Sequence, residues 1–315
     1  MTNAARRLAI GVDLGGTKIA AGIVDSAGRL LERAELPSDI DEPGSVAAQV
    51  GELVRKLPAS SVVGLGIGAA GIVDHATGHY LYGPNTGLRE VQLDALISNE
   101  VGLTVRVDND ANCAAWAEHR FGVGRDTLHF LCVTLGTGIG GGLVIDGRPY
   151  RGAHGGAAEI GHMIVDPDGP MCGCGRRGCW EQYASGLALE RTALVELSGH
   201  PDSTLRNELH AGRIRGRAIT DAARNGDAFA IELVERMARW VGWGLGSLVN
   251  VLEPERIAIA GGIAEDWDLF EAVALDGMRE RVEASDRRPL PGVLRAELGP
   301  DAGIVGAALL VLDEA

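Results

Sequence analysis

The chain has 315 residues, of which 46% are hydrophobic and 23% charged, and its formal net charge is −14. That length exceeds what one compact core usually holds, so two domains are expected. The acidic balance and the lack of a Lys/Arg cluster exclude the basic face that most nucleic-acid binders use. A polyanion would have to be held by backbone N–H groups, helix N-termini and Mg²⁺. Aromatic residues make up only 4% while glycines number 46, which points to tight turns and close backbone approaches. Arg213, Arg215 and Arg217 alternate over a short stretch and read as a solvated surface. No apolar run has the length of a signal or membrane segment, so no membrane partner is expected. An odd, clustered set of cysteines points to a reducing cytoplasm.

In chain order, residues 7–12 form a strand that ends at Asp13. A glycine turn, Leu14-Gly15-Gly16-Thr17-Lys18, leads to a strand over 19–24, a hairpin turn at 25–28 and a third strand over 29–36. An amphipathic helix spans 43–57 and stops before Pro58. A buried strand over 61–68 runs into the small-residue turn Ala69-Ala70-Gly71, and a helix covers 93–101. The strand over 104–107 enters Asp108-Asn109-Asp110, and a helix begins near Asp110. The opening then recurs, with a strand over 128–135, the turn Gly136-Thr137-Gly138 and a strand over 140–145. A shift of 121 residues lays Val12 on Val133, Gly15 on Gly136 and Asp25 on Asp146. This suggests a duplicated α/β fold with two facing phosphate turns, against chance likeness of two glycine-rich hairpins. Helices follow over about 186–198, 202–211, 217–225 and 227–251, where Gly242, Gly244 and Gly246 suggest close packing. A strand over 256–260 ends in a third glycine turn, Gly261-Gly262, and helices over 267–283 and 303–312 close the chain. Cys113 and Cys132 sit in apolar patterns, as buried thiols do.

Three constellations carry chemistry. At 13–18, glycines let the backbone approach phosphate, Thr17 and Lys18 can donate to it, and Asp13 can hold Mg²⁺ directly or through water. The spacing is not Walker A, and a plain hairpin is the alternative. Asp110, at a strand end and helix start, suits a base that orients and deprotonates an attacking hydroxyl, or a helix N-cap, or both. Third, His162, Cys172, Cys174 and Cys179 supply one Cys₃His set, as structural zinc prefers; a disulfide with a spare thiol is the alternative. Glu159 and Glu181 flank that set and suggest a polar pocket for a polyhydroxy compound.

Taken together, Asp-Leu-Gly-Gly-Thr-Lys at 13–18, Asn-Asp-Ala-Asn at 109–112, Leu-Gly-Thr-Gly-Ile-Gly-Gly-Gly at 135–142, Glu-Ile-Gly-His at 159–162 and Cys-Gly-Cys-Gly-x-x-Gly-Cys-x-Glu at 172–181 resemble the ROK family of sugar kinases and repressors. The likeness runs from about Ile10 to Gly306 and is greatest to the family's ATP-dependent bacterial glucokinases. It implies an α/β, actin/hexokinase-like ATPase fold: two duplicated α/β domains around a cleft, with a zinc-binding segment. The N-terminal domain is expected over 1–115 plus about 300–315, and the C-terminal one over 116–299, with the zinc segment and a helical insert.

The resemblance also implies roles. Asp110 is the base; Asn109, Glu159, His162 and Glu181 hold sugar hydroxyls; and Gly71 lies beside the sugar. The first two glycine turns face the phosphates of ATP, and Gly261 and Gly262 approach its adenosine. His162 serves twice, with one ring nitrogen on zinc and the other on a sugar hydroxyl. The implied reaction converts glucose and ATP to glucose 6-phosphate and ADP, with Mg²⁺ and a structural Zn²⁺, in a homodimer or homotetramer. Another hexose (N-acetylmannosamine, fructose or allose) or a polyphosphate donor is the alternative, as is a non-catalytic sugar-sensing protein of the family. Family repressors carry a helix-turn-helix domain ahead of the core, and only about nine residues precede the first strand here. A zinc hydrolase is disfavoured, because a Cys₃His site is closed to water. Two departures stand out. Pro84-Asn85 is followed by Thr86, Gly87 and Leu88 where the glucokinases usually carry Trp, and Cys113 stands for their usual Ala.

Overall fold

Alternation of large and small residues builds the first sheet. In this computed structural model, which describes residues 7–58, 61–83 and 86–314, β1 (Leu8–Leu14), β2 (Lys18–Asp25) and β3 (Leu30–Pro37) form an antiparallel meander. After α1 (Pro43–Lys56), β4 (Val62–Ala69) pairs parallel with β1. Three short strands, β5 (Ile72–Asp74), β6 (His79–Tyr82) and β7 (Arg89–Gln92), make a separate antiparallel sheet. Following α2 (Leu93–Val101), β8 (Val105–Asn109) joins β4 in parallel, giving the order β3-β2-β1-β4-β8.

Next come α3 (Asp110–Phe121), β9 (Phe130–Leu135), β10 (Ile139–Ile145) and β11 (Arg148–Tyr150). A 3₁₀ turn at Ile160–His162 and the cysteine segment lead to α4 (Glu181–Ala184), α5 (Gly186–Glu196), α6 (Gly216–Arg224) and the long α7 (Ala228–Leu252). The remaining elements are β12 (Arg256–Ala260), α8 (Trp267–Arg281), β13 (Gly292–Arg295) and α9 (Ala302–Leu312). The second sheet has the order β11-β10-β9-β12-β13, the same sequence of roles as the first. The 121-residue shift carries Leu14, where β1 ends, onto Leu135, where β9 ends, and Lys18, where β2 starts, onto Ile139, where β10 starts.

The chain forms two compact units: Met1–Cys132 with Gly141–Ala158 and Ala296–Ala315, and Val133–Gly140 with Glu159–Arg295. Residues 116–132 and 141–158, placed in the second domain by the sequence, group with the first unit. In that unit Ile10, Val12 and Leu14 bury against Val46 and Leu53 of α1 and Ile97 of α2. The other face carries Ala9, Ala20 and Val24 against Ala114 and Ala117 of α3 and Ile304 and Leu309 of α9. Helix α9 lies so close that a Cβ on Gly11 would fall 1.9 Å from the Ile304 carbonyl oxygen. In the second unit the expected close packing of α7 is present. A Cβ on Gly242 would fall 2.2 Å from the Ala274 carbonyl oxygen of α8, and one on Gly244 would fall 2.0 Å from the buried Trp180 ring.

Two expectations need correction. The helix over 202–211 is only a 3₁₀ segment, Thr204–Glu208. The Asp227 carboxylate accepts from the Thr204 N–H and from the Ser203 and Thr204 hydroxyls, and positive φ at Ala211 and Gly212 breaks the chain's path. That carboxylate also caps α7 through the Ala230 N–H. Strands β5, β6, β7, β11 and β13 were not foreseen; at three or four residues each they are too short for a period-2 pattern to register. Among the described residues no helix is long and apolar enough to cross a membrane.

Candidate functional site

In the first unit the chemistry gathers where β8 meets α3. The sequence offers Asp110 as the cap, but Asn109 takes that place: its Oδ1 accepts the Asn112 N–H at 3.0 Å. Its Nδ2 donates to the Gly71 carbonyl at 3.0 Å, so both ends of the amide are oriented. Asp110 instead opens the first turn, where its Oδ1 accepts the Ala111 N–H at 2.9 Å. Burial pushes the Asp110 carboxyl above the usual carboxylate range. Asp13, at the end of β1, is pushed up to about 6, first by burial and then by the charge of Asp110. Two neighbouring carboxylates of raised proton affinity form an arrangement that a divalent cation would relieve.

Gly71 has φ of +133°, and a Cβ there would fall 2.5 Å from the Tyr82 carbonyl oxygen and 2.6 Å from the Tyr80 hydroxyl. Leu88, standing where the glucokinases carry Trp, is fully buried in the same core as Ile10 and Leu65. Pro84 and Asn85 lie outside the described residues.

The glycine turns close on themselves. The Gly15 N–H donates to the Lys18 carbonyl at 3.2 Å, and the Gly136 N–H to the Gly138 carbonyl at 3.0 Å. Thr17 and Thr137 are exposed at the tips, and the Lys18 ammonium lies 3.5 Å from Glu35. At Gly16, Gly136 and Gly262 a Cβ would meet nothing within 4 Å, and none has positive φ. Neither packing nor backbone geometry demands glycine at these three positions. Gly261 differs: its φ is +88°, and a Cβ would strike the Leu135 carbonyl oxygen at 2.4 Å, seating the third turn on the end of β9.

The second unit holds the cysteine cluster. His162, Cys172, Cys174 and Cys179 offer ligand atoms that all lie within 4.8 Å of one another. Cys172 Sγ is 3.6 Å from His162 Nδ1, and Cys174 Sγ is 3.6 Å from Cys179 Sγ. Those gaps exceed the ~2.05 Å of a disulfide and approach the ~3.7 Å edge of a zinc–thiolate tetrahedron. The donor set fits a zinc ion. His162 turns its other nitrogen outward, with Nε2 3.9 Å from Glu159. Glu181 lies 3.7 Å from His162 Nδ1, and a Cβ on Gly138 would fall 2.6 Å from its Oε2. Glu159, His162, Glu181 and the Gly136–Gly138 turn therefore belong to one unit, and Asp13, Gly71, Asn109 and Asp110 to the other.

Sequence reasoning passed over Asp108 and Arg151. Asp108 is 1% exposed; its Oδ1 accepts from the Asn109 N–H and Asn112 Nδ2, and its Oδ2 from Arg151 Nε at 2.6 Å. It holds the turn on which Asn109 and Asp110 sit. The only hint in the sequence was a third acidic or amide residue at a buried strand end.

The model of the ROK family matches residues 9–314. A glucokinase of Streptomyces coelicolor is 40% identical over 305 residues, 96% of each chain. The crystal structure of a ROK family glucokinase from Streptomyces griseus, in complex with glucose and AMPPNP, superposes with a TM-score of 0.87 at 41% identity, covering 96% of this chain and 98% of that one. An N-acetylmannosamine kinase of Citrobacter koseri is 31% identical, covering 96% of this chain and 97% of its own. This chain belongs to the ROK family and has the α/β fold of its hexokinase-type sugar kinases.

Proposed function

We propose that the chain moves the γ-phosphoryl group of ATP onto the 6-hydroxyl of glucose, giving glucose 6-phosphate and ADP. The observation that carries this reading is Asp110: a carboxylate of raised proton affinity, opening α3 beside an oriented Asn109 amide. Support comes from the glucokinase crystallised with glucose and AMPPNP, whose fold this chain shares over 96% of its length. In the reaction the C6 oxygen attacks the γ-phosphorus, the bond to the bridging oxygen breaks, and the hydroxyl proton passes to Asp110. A sugar hydroxyl is far less acidic than a carboxylic acid, so that proton moves late, as the new bond to phosphorus develops.

Asn109, Glu159, His162 and Glu181 take sugar hydroxyls, with Gly71 beside the ring. Gly15, Gly16, Thr17, Lys18, Gly136, Thr137 and Gly138 face the phosphates, and Gly261 and Gly262 the adenosine. The open space at Gly16, Gly136 and Gly262 supports this, since a ligand that comes close to the backbone is a reason for glycine where the protein itself supplies none. Asp13 holds Mg²⁺, which neutralises charge on the phosphates. His162, Cys172, Cys174 and Cys179 hold a structural zinc that fixes the His162 ring. The odd, clustered set of cysteines supports a reducing compartment such as the cytoplasm. A homodimer or homotetramer is proposed on the family likeness.

A second reading keeps the kinase and changes the sugar to N-acetylmannosamine, fructose or allose. The burial of Leu88 in the core favours it, because the side chain expected beside the sugar is withdrawn. A coupled assay over a panel of hexoses with ATP or polyphosphate tests both. Glucose with ATP is expected to give the highest kcat/KM. A higher value for another hexose selects the second reading, and no turnover with any hexose removes both.

A further inference from the structure

The loop that replaces the glucokinase tryptophan is fastened from below by a buried phenol. Tyr80, on β6, is fully buried. Its hydroxyl donates to the Ala70 carbonyl at 2.8 Å and lies 2.9 Å from Thr86 Oγ1. A phenol carries one proton, and a carbonyl can only accept it, so Thr86 is the donor in the second bond. Room for the hydroxyl comes from two glycines: a Cβ on Gly83 would fall 2.0 Å from it, and one on Gly71 2.6 Å. The two glycines leave the hydroxyl uncrowded and a phenylalanine would fit the same space, so packing alone gives no reason for the oxygen.

What the oxygen holds is the Ala70–Gly71 turn. The Gly71 carbonyl is the acceptor that orients the Asn109 amide, whose Oδ1 caps α3 ahead of Asp110. Hydrogen bonds thus link Thr86 through Tyr80 to the Ala70 carbonyl, and the next carbonyl along the backbone, that of Gly71, takes the Asn109 amide. On the far side, Arg89 Nη1 donates to the Thr86 and Leu88 carbonyls, both at 2.6 Å, and keeps Thr86 in place.

We propose that Tyr80 is a positioning residue for the sugar: its hydroxyl sets the Ala70–Gly71 turn and with it the Asn109 amide, so that it governs hexose affinity and not the phosphoryl step. This rests on the reading above that Gly71 and Asn109 border the sugar. Removing the hydroxyl takes a partner from the Ala70 carbonyl and the Thr86 hydroxyl, both half-buried, and frees the turn to shift toward other partners. The amide loses its alignment with a hydroxyl it has to meet within a few tenths of an ångström, while the carboxylate of Asp110 and the glycine turns keep their own supports.

The test is steady-state kinetics of the full chain and its Tyr80→Phe, Thr86→Val and double variants, with glucose and ATP varied separately and rates normalised to folded protein. Tyr80→Phe is expected to raise the glucose KM about tenfold, with kcat and the ATP KM within about twofold of the parent. Thr86→Val, which leaves the bond to Ala70, is expected to raise it about threefold, and the double variant to match Tyr80→Phe alone, as coupled members of one line do. An unchanged glucose KM in Tyr80→Phe overturns the proposal, as does an equal rise in the ATP KM. If Tyr80→Phe does not fold, Thr86→Val decides, and an unchanged glucose KM there overturns it. Parent protein that phosphorylates no hexose would instead sink the sugar-site reading itself.

Discussion

Asn109 and Asp110 divide the labour at the head of α3: the Asn109 side chain takes the Asn112 N–H at 3.0 Å and relieves Asp110 of capping the helix. A carboxylate that served as cap would have its charge drawn toward the helix amides and its proton affinity lowered. At Asp110 burial outweighs the amide bonds, and the carboxyl stays above the usual range, as a base working on a weakly acidic hydroxyl requires. The sequence leaves cap and base as competing or shared roles for one residue; the fold gives them to two neighbours.

Asp110→Asn is therefore expected to abolish turnover while leaving glucose affinity within about tenfold and the melting temperature nearly unchanged, because the cap belongs to Asn109. Calorimetric glucose binding beside a coupled rate assay measures both. A variant that keeps more than about a tenth of the parent rate would take Asp110 out of the role of base.

Asp13 makes acid sensitivity a prediction with a definite sign. Its carboxyl is raised from 3.8 to about 6, so the fold disfavours the charged form. The stabilisation from this group is complete below pH 3.8 and is lost as pH rises through about 6. On the proposed role of Asp13 in holding Mg²⁺ only the ionised form serves, so kcat/KM is expected to fall below about pH 6 and not only near pH 4. Asp13→Asn is expected to raise the melting temperature at pH 7.5 by a few degrees and to lower activity steeply. A rate plateau that extends to pH 5, or a variant less stable than the parent, contradicts this account.

In the proposed site one imidazole ties metal to substrate, since His162 Nδ1 faces Cys172 while Nε2 faces Glu159. Metal analysis is expected to find about one zinc per chain. Chelation or Cys172→Ala is expected to raise the glucose KM steeply while far-UV circular dichroism stays near native, because the core of the first unit is built from other residues. Normal glucose affinity in a zinc-free chain would cut this link.

Glu118, fully buried in α3, accepts the N–H groups of Val123, Glu297 and Leu298 and so ties the approach to α9 onto α3. Glu118→Ala strands those donors and is expected to cost about 3 kcal/mol or more, with hexose and ATP KM values within about twofold of the parent. Urea unfolding and kinetics at low temperature measure the two effects. A loss of stability below about 1 kcal/mol would show the donors find other partners.

Elements whose chemistry is local and periodic are legible in the amino-acid order alone. The glycine turns end β1 and β9 at positions 121 residues apart, α7 carries three glycines that admit α8 and Trp180, and four ligating side chains meet within a few ångströms. In each case composition and spacing act over one or two turns of chain, so pattern suffices. Tertiary structure decided what depends on residues far apart in the chain. Asp227 reaches back to Ser203 and Thr204 and shortens a helix that local propensity favours. Gly71 comes to Asn109 from 38 residues away and turns its amide, and Arg151 comes to Asp108 from 43. Leu88, exposed or buried on equal terms in the sequence, lies in the core with Ile10 and Leu65, just ahead of β7 where it pairs with β6. Such choices turn on which donor finds which acceptor once water is excluded, and that is settled only when the fold has brought them together.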